Sequence, residues 1–251
     1  MSSTRSPCRP EPPIKRGLLI VVGHGTGTAA GDAALHALAA ALAGQSPFAR
    51  VRAAVLNGKP TLSEALDGAE SGPVHLLPFM MSDGVTFRQR LLQAMLHLPG
   101  ARTPHLFPPL GLNPGLAELI VKRAEDTAKS ASWPTADCRL LLIAHGSPRD
   151  PASAQAAHGH QECIAAQGRF SGVETAFLDQ PPQLDDVLAQ DGAPLLGVGL
   201  FAGEGRHGAE DMERAFSRAA CPARYCGAIG SDEGLAALAV KHLKTMPHST
   251  E

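Results

Sequence analysis

The 251-residue sequence predicts an α/β protein of two similar subdomains, each a four-stranded parallel sheet flanked by helices. Three observations predict it. Short continuous apolar runs alternate with longer helical patterns, the whole pattern is written twice, and the first run of each copy stops on His-Gly. Uninterrupted apolar strands separated by helices imply parallel strands buried on both faces. Repetition of that unit gives two sheets packed into layers.

The chain begins with "MSSTRSPCRPEPPIKR" (1–16), a proline-rich basic stretch that reads as a disordered tail. The first half, residues 17–129, has strand candidates "LLIVV" (18–22), "VRAAVL" (51–56), "VHLLPFMM" (74–81) and "HLF" (105–107). Helical patterns lie between and after them, in "GDAALHALAAALAG", "TLSEALDG", "FRQRLLQAML" and "NPGLAELIVKRAEDTA". Residues 130–137, "SASWPTAD", are polar with a proline and form a linker. The second half, 138–251, repeats the order with "LLLIA", "VETAFL", "PLLGVGLF" and "ARYCGAI".

The duplication is explicit at three places. "LLIVVGHGTGT" (18–28) matches "LLLIAHGSPRD" (140–150), "VRAAVLNGKPTLSEAL" (51–66) matches "VETAFLDQPPQLDDVL" (173–188), and "LGLNPGLAELIVKR" (110–123) matches "IGSDEGLAALAVKH" (229–242). The offsets stay between 119 and 122 residues, which chance does not produce three times in order.

Composition excludes several classes. A formal net charge of −2 offers no bulk attraction to nucleic acid or an acidic membrane, and 4% aromatics leave few stacking platforms for single strands. Five scattered cysteines without a CxxC pair argue against a disulfide framework or structural zinc, and point to the cytoplasm. No apolar stretch approaches the ~20 residues of a membrane span.

The chemistry gathers at the strand ends. In open parallel sheets, ligands bind beyond the carboxyl ends of the strands, where both His-Gly pairs fall. One such histidine could simply cap a loop. In the second half a further histidine, His207, follows the third strand, and adjacency of strands one and three would place it opposite His145. Two imidazoles with a carboxylate from Glu204, Glu210 or Asp211 suit a divalent metal and leave coordination positions open. In the first half Thr86 takes the place of His207 and Asp83 that of Glu204, so His24 stands without a second imidazole.

Together "LLLIAHGSPRDP" and, 62 residues on from His145 to His207, "GLFAGEGRHGAEDM" resemble the sirohydrochlorin chelatase family, in its long two-repeat form. The first half carries only the opening piece and lacks the Arg-Asp pair. The resemblance implies insertion of Co2+ or Fe2+ into sirohydrochlorin in cobalamin or siroheme synthesis. It implies a chelatase-like fold with the active site in the cleft between the two subdomains, where His145 and His207 bind the incoming metal. The divalent ion would then be a substrate, with no organic cofactor, and the partners would be the tetrapyrrole and the metal. A histidine or Glu204 would take the pyrrole protons. The carboxylates of the ring would be seated by Arg149, Arg206, Ser147 and Arg88, with Arg90 beside Arg88 and His24 as a contact across the cleft. The chain would act as a monomer or weak homodimer.

Other features have plainer readings. Met80 and Met81 belong to the core or cleft lining. His158 and His160 sit at i and i+2, on different helix faces, and read as a surface feature. His36, His75, His97 and His105 have no partner that the sequence identifies. A histidine-nucleophile phosphatase would need arginine directly before His-Gly, where Gly23 and Ala144 stand. The alternative function is a non-catalytic metal- or tetrapyrrole-binding protein derived from a chelatase.

Overall fold

The computed structural model describes residues 16–68, 72–99, 103–203 and 209–245. The stretch read as a tail lies outside them, except for Arg16, which opens the first strand. The first half contains β1 (Arg16–Gly23), α1 (Ala33–Gln45), β2 (Phe48–Val55), β3 (Val74–Pro78), α2 (Leu92–Leu96), β4 (His105–Leu106) and α3 (Leu116–Ser130). The second contains β5 (Arg139–Ala144), α4 (Ala152–Ala165), β6 (Gly172–Phe177), α5 (Leu184–Leu188), β7 (Leu195–Gly199), α6 (Ala209–Phe216), β8 (Ala223–Ala228) and α7 (Leu235–Thr245). Each half forms a parallel sheet of the same order, β2-β1-β3-β4 and β6-β5-β7-β8.

Why these runs become central strands is visible in their burial. Leu19 and Val21 of β1 enter a core shared by both halves, while Leu18, Ile20 and Val22 face an outer core. In β5, Leu140, Leu142 and Ala144 enter the same shared core and Leu141 and Ile143 its outer counterpart. With both faces covered, neither strand shows polar alternation. Helix α1 is built from strong helix formers and buries Leu35, Leu38, Ala39 and Leu42 along one stripe.

The halves are not separately packed. Helix α3 of the first half lies on β7 and β8 of the second, and α7 packs against α1. Arg123 of α3 pairs with Asp232 (Nε–Oδ2 3.0 Å) and donates to the Cys226 carbonyl at 2.8 Å. From the other side, Asn113 Nδ2 donates to His242 Nδ1 at 3.0 Å. The two last helices start alike: the Asn113 and Asp232 side chains accept the N–H of Gly115 and Gly234, at 2.9 and 2.8 Å. Between the end of α3 and β5 the chain winds through short turns. Ser132 has φ 58°, Thr135–Asp137 form one 3-10 turn, and Trp133 packs on the core beneath the Arg224 guanidinium.

Two histidine readings change. His160 is not a surface residue: it is 7% exposed, and its Nε2–H donates to the Gly111 carbonyl at 2.7 Å, from α4 to the other half. The inward face of α4 carries it there, while His158, two residues earlier, is exposed and meets the Phe177 ring edge-on. His75 and His105 also gain partners, in a ring cluster with Phe48 and Phe107.

Candidate active site

In a sheet of order 2-1-3-4 the chain leaves β1 toward one side and later returns on the other, which opens a crevice above β1 and β3. Both halves have that crevice, and the two face each other. The result is one cleft of about 430 Å3, within the size range of small-molecule sites. From the first half it is lined by His24 after β1 and by residues 79–82 and 84–87 after β3; from the second, by residues 145–147, Asp150 and Ser153 after β5 and 200–202 after β7.

The same local geometry delivers both histidines. Each is followed by glycine in the left-handed region, Gly25 at φ 84° and Gly146 at φ 72°, where other residues would be strained. The backbone leaves the strand there, and the next strand holds the turn in place. The Asn57 N–H donates to the His24 carbonyl at 2.9 Å, and the Asp179 N–H to the His145 carbonyl at 2.8 Å. Phe201 lies against the His145 ring, with centroids 4.9 Å apart. Phe79, Met80, Leu200 and Phe201 are buried and make the floor apolar, a surface suited to the face of a flat macrocycle.

Side-chain chemistry differs between the two walls. Beside His24, Asn57 Nδ2 lies 3.2 Å from Nε2, and Arg90 donates to Asn57 Oδ1 at 3.3 Å. Burial, and then the Arg90 charge, hold His24 below the usual imidazole value, with Asp32 pulling the other way. Beside His145 the residue equivalent to Asn57 is the acid Asp179. Asp150, buried in the second wall, accepts from the single Nη2 of Arg88 of the first wall on both carboxylate oxygens, at 2.8 and 2.9 Å, and accepts the Ala152 N–H at the start of α4. The Ala152 N–H leads the causes that hold its carboxyl below the ordinary range. Arg88 springs from a stretch of π-type winding, Thr86–Leu91, a form of helix common at functional sites.

Of the residues singled out by sequence, His24, His145, Ser147, Thr86, Met80 and Met81 line the cleft. Arg88 reaches its wall through Asp150. Arg149 is exposed on the β5–α4 loop, where its N–H donates to Ser147 Oγ at 3.2 Å. Asp83 lines a different hollow with His160. Glu204, Arg206 and His207 lie outside the described residues. Among the described residues no cluster of three or more His, Cys, Asp or Glu is arranged to hold a metal, and no helix is long and apolar enough to cross a membrane. No described cysteine lines the cleft, and burial pushes the Cys226 thiol up to about 11.

Asn57, Asp179 and Asp150 were missed. The first two stand at matching positions in "VLNGKPTL" and "FLDQPPQL", so aligning the repeats beyond their histidines would have found them. Asp150 stands in the "HGSPRD" motif itself, but its partner is 62 positions away.

A family model described as CbiX matches the chain twice, over residues 18–127 and 139–246. A "Probable sirohydrochlorin cobaltochelatase" of Halobacterium salinarum is 26% identical over 219 residues, 77% of this chain and 74% of that one. The solved structure of CbiX described as "the terminal Enzyme for Biosynthesis of Siroheme in Denitrifying Bacteria" is 28% identical, with a TM-score of 0.75, covering 92% of this chain and all of that one. SirB from Bacillus subtilis with Fe3+ shares the fold at 16% identity and a TM-score of 0.77, over 91% of this chain and 94% of that one.

Proposed function

The chain belongs to the CbiX family of sirohydrochlorin chelatases, and from that membership we propose that it inserts Co2+, or Fe2+ by the same chemistry, into sirohydrochlorin. One observation carries the reading: the strand-end histidines of both repeats line a single apolar-floored cleft.

In this proposal His145 receives the metal, together with His207. Two imidazoles and exchangeable waters hold a borderline cation without closing its coordination sphere, so it can be passed on. As the metal enters, the two pyrrole nitrogens lose their protons: M2+ plus the free ring gives the metal complex and two H+. Glu204 is the proposed base, with Asp179, whose main-chain N–H holds the His145 carbonyl, as a second acidic residue nearby. The apolar floor takes one face of the ring. Ser147 and the Arg149 and Arg206 side chains then meet its rim, with Arg88 on the opposite wall. The ring and the metal are the two ligands this assigns, in the cytoplasm.

The test is anaerobic and optical. Purified protein should accelerate the spectral change of sirohydrochlorin on addition of Co2+, with Fe2+ run in parallel to rank the metals. His145→Ala and His207→Ala should each abolish the acceleration, and His24→Ala should reduce it far less. Tight binding of the ring with no rate above the spontaneous one would instead identify a binding protein. Equal loss in all three variants would refute the assignment of metal handling to the second half.

A further inference from the structure

The two strand-end histidines of the cleft are held by matching loops, which lie behind the lining residues and differ in charge at one matched position. Asn57 and Asp179 occupy the same place: each follows the second strand of its half, and each donates its main-chain N–H to the carbonyl of the strand-end histidine. The loop behind His145 therefore carries an acid at this position. The other has an amide backed by an arginine, since Arg90 donates to Asn57 Oδ1 at 3.3 Å.

That contact fixes the protons. A guanidinium can only donate, so the oxygen of the Asn57 amide must face Arg90. Its nitrogen then faces His24, and Nε2, at 3.2 Å from Asn57 Nδ2, must be the acceptor. His24 is therefore neutral, with its proton on Nδ1. Its Nε2 lone pair, the one that would take a metal, is occupied by the amide. Arg90 sets a positive charge behind the pair, which repels a cation. The nearby acid, Asp32, is engaged by the Thr26 N–H at 2.9 Å. What the His24–Asn57–Arg90 relay has left to offer a ligand is N–H groups: the His24 Nδ1–H, the second amide hydrogen of Asn57 and the remaining guanidinium hydrogens. A group meeting only donors must be an acceptor, and next to an arginine it is best an anion.

We infer that the first wall has become a carboxylate-binding subsite, in which the His24–Asn57–Arg90 relay grips an acidic side chain of the macrocycle and excludes a second metal ion. The inference rests on the proposed function, since the ligand is the polycarboxylate ring of that reaction. Division of labour follows. One wall takes the cation and the other orients the ring by its charge. Asn57 is a positioning residue, which holds His24 in the tautomer that donates toward the ligand.

The experiment uses the full chain, with steady-state kinetics and three further readouts. Affinity for metal-free sirohydrochlorin is measured by fluorescence quenching, with uroporphyrin, another octacarboxylate ring, as a second probe. Co2+ stoichiometry is measured by calorimetry without tetrapyrrole, and the His24 tautomer by nitrogen NMR. Arg90→Gln should weaken both rings about tenfold, the worth of one charge-assisted hydrogen bond, and raise KM with kcat little changed. Its Co2+ stoichiometry should equal that of the unaltered chain. Asn57→Asp should weaken the rings similarly, raise the His24 pKa and add one Co2+ equivalent. Arg90→Lys, which keeps the charge, should recover part of the ring affinity. Unaltered ring affinity in both Arg90→Gln and Asn57→Asp would overturn the subsite while leaving the chelatase reading intact. So would a proton on Nε2 in the unaltered chain. Failure of the unaltered chain to bind either ring would overturn both.

Discussion

His160 ties the two halves together beneath the cleft, and removing it has a cost that can be worked from its surroundings. The side chain is 7% exposed, and its Nε2–H meets the Gly111 carbonyl at 2.7 Å. Gly111 itself is pressed against the backbone of Met81, a cleft residue, so closely that a Cβ would collide with it. In His160→Ala the carbonyl loses its donor, which costs about 1–3 kcal/mol for a buried group, and the emptied volume adds roughly 1 kcal/mol more. Urea unfolding should therefore show a loss of about 2–4 kcal/mol. The bond also has a pH signature. Burial holds the His160 imidazole below its ordinary value, and the hydrogen bond to Gly111 offsets this only in part. Below the ordinary value of about 6.5 the unfolded chain takes up a proton that the folded chain refuses. Stability is therefore complete above that pH and falls below it, by up to about 1.4 kcal/mol per pH unit, until the depressed folded value is reached. His242, half-buried, contributes with the same sign. His160→Gln keeps a donor for Gly111 but cannot titrate, so its stability should decline less between pH 7 and pH 5.5 than that of the unaltered chain. Parallel pH profiles for the two proteins, or a cost under about 1 kcal/mol for His160→Ala, would refute the reasoning.

Two further perturbations probe the contacts between the halves. Asp150→Asn keeps an acceptor for the Ala152 N–H but removes the charge facing Arg88. Because Arg88 is half-exposed, the loss at neutral pH should be under about 1 kcal/mol. The Asp150 carboxyl is held below its ordinary range, so its contribution is present above the unfolded value of about 4 and is lost as pH falls through the folded one. An acid-unfolding profile unchanged by the substitution would contradict this. Arg123→Met removes the partner of the largely buried Asp232 and the donor to the Cys226 carbonyl. It should cost about 1–3 kcal/mol in urea unfolding, and restoration of that stability by the added change Asp232→Asn would trace the cost to the orphaned carboxylate.

Strand identity was legible because a strand covered on both faces must be apolar at every position, as 18–22 and 140–144 are. The strand-end histidines were legible for the same reason, since a polar residue closing such a run marks the sheet edge. The exchange of α3 and α7 was not. Apolar periodicity on a helix reports that a face is buried, not which sheet buries it, and α3 would show the same stripe on either. His160 was misread because only the i, i+2 spacing to His158 was weighed. Its place at i+3 from Ala157, which is fully buried, puts it on the inward stripe. The Arg88–Asp150 pair escaped because charge complementarity over that separation in sequence leaves no local pattern.

The crossed packing of the last helices bears on how the cleft behaves in dilute solution. A cavity assembled from two separate subunits comes apart as concentration falls, because association is a mass-action equilibrium. Here the walls are sections of one covalent chain, and each is clasped by a helix belonging to the other. Their stoichiometry is fixed at synthesis and no dilution separates them. A mutation, moreover, alters one wall and spares its copy, whereas in a symmetric dimer every change arrives twice. Linkage in a single chain is thus the physical condition under which two identical walls could take on opposite preferences for charge.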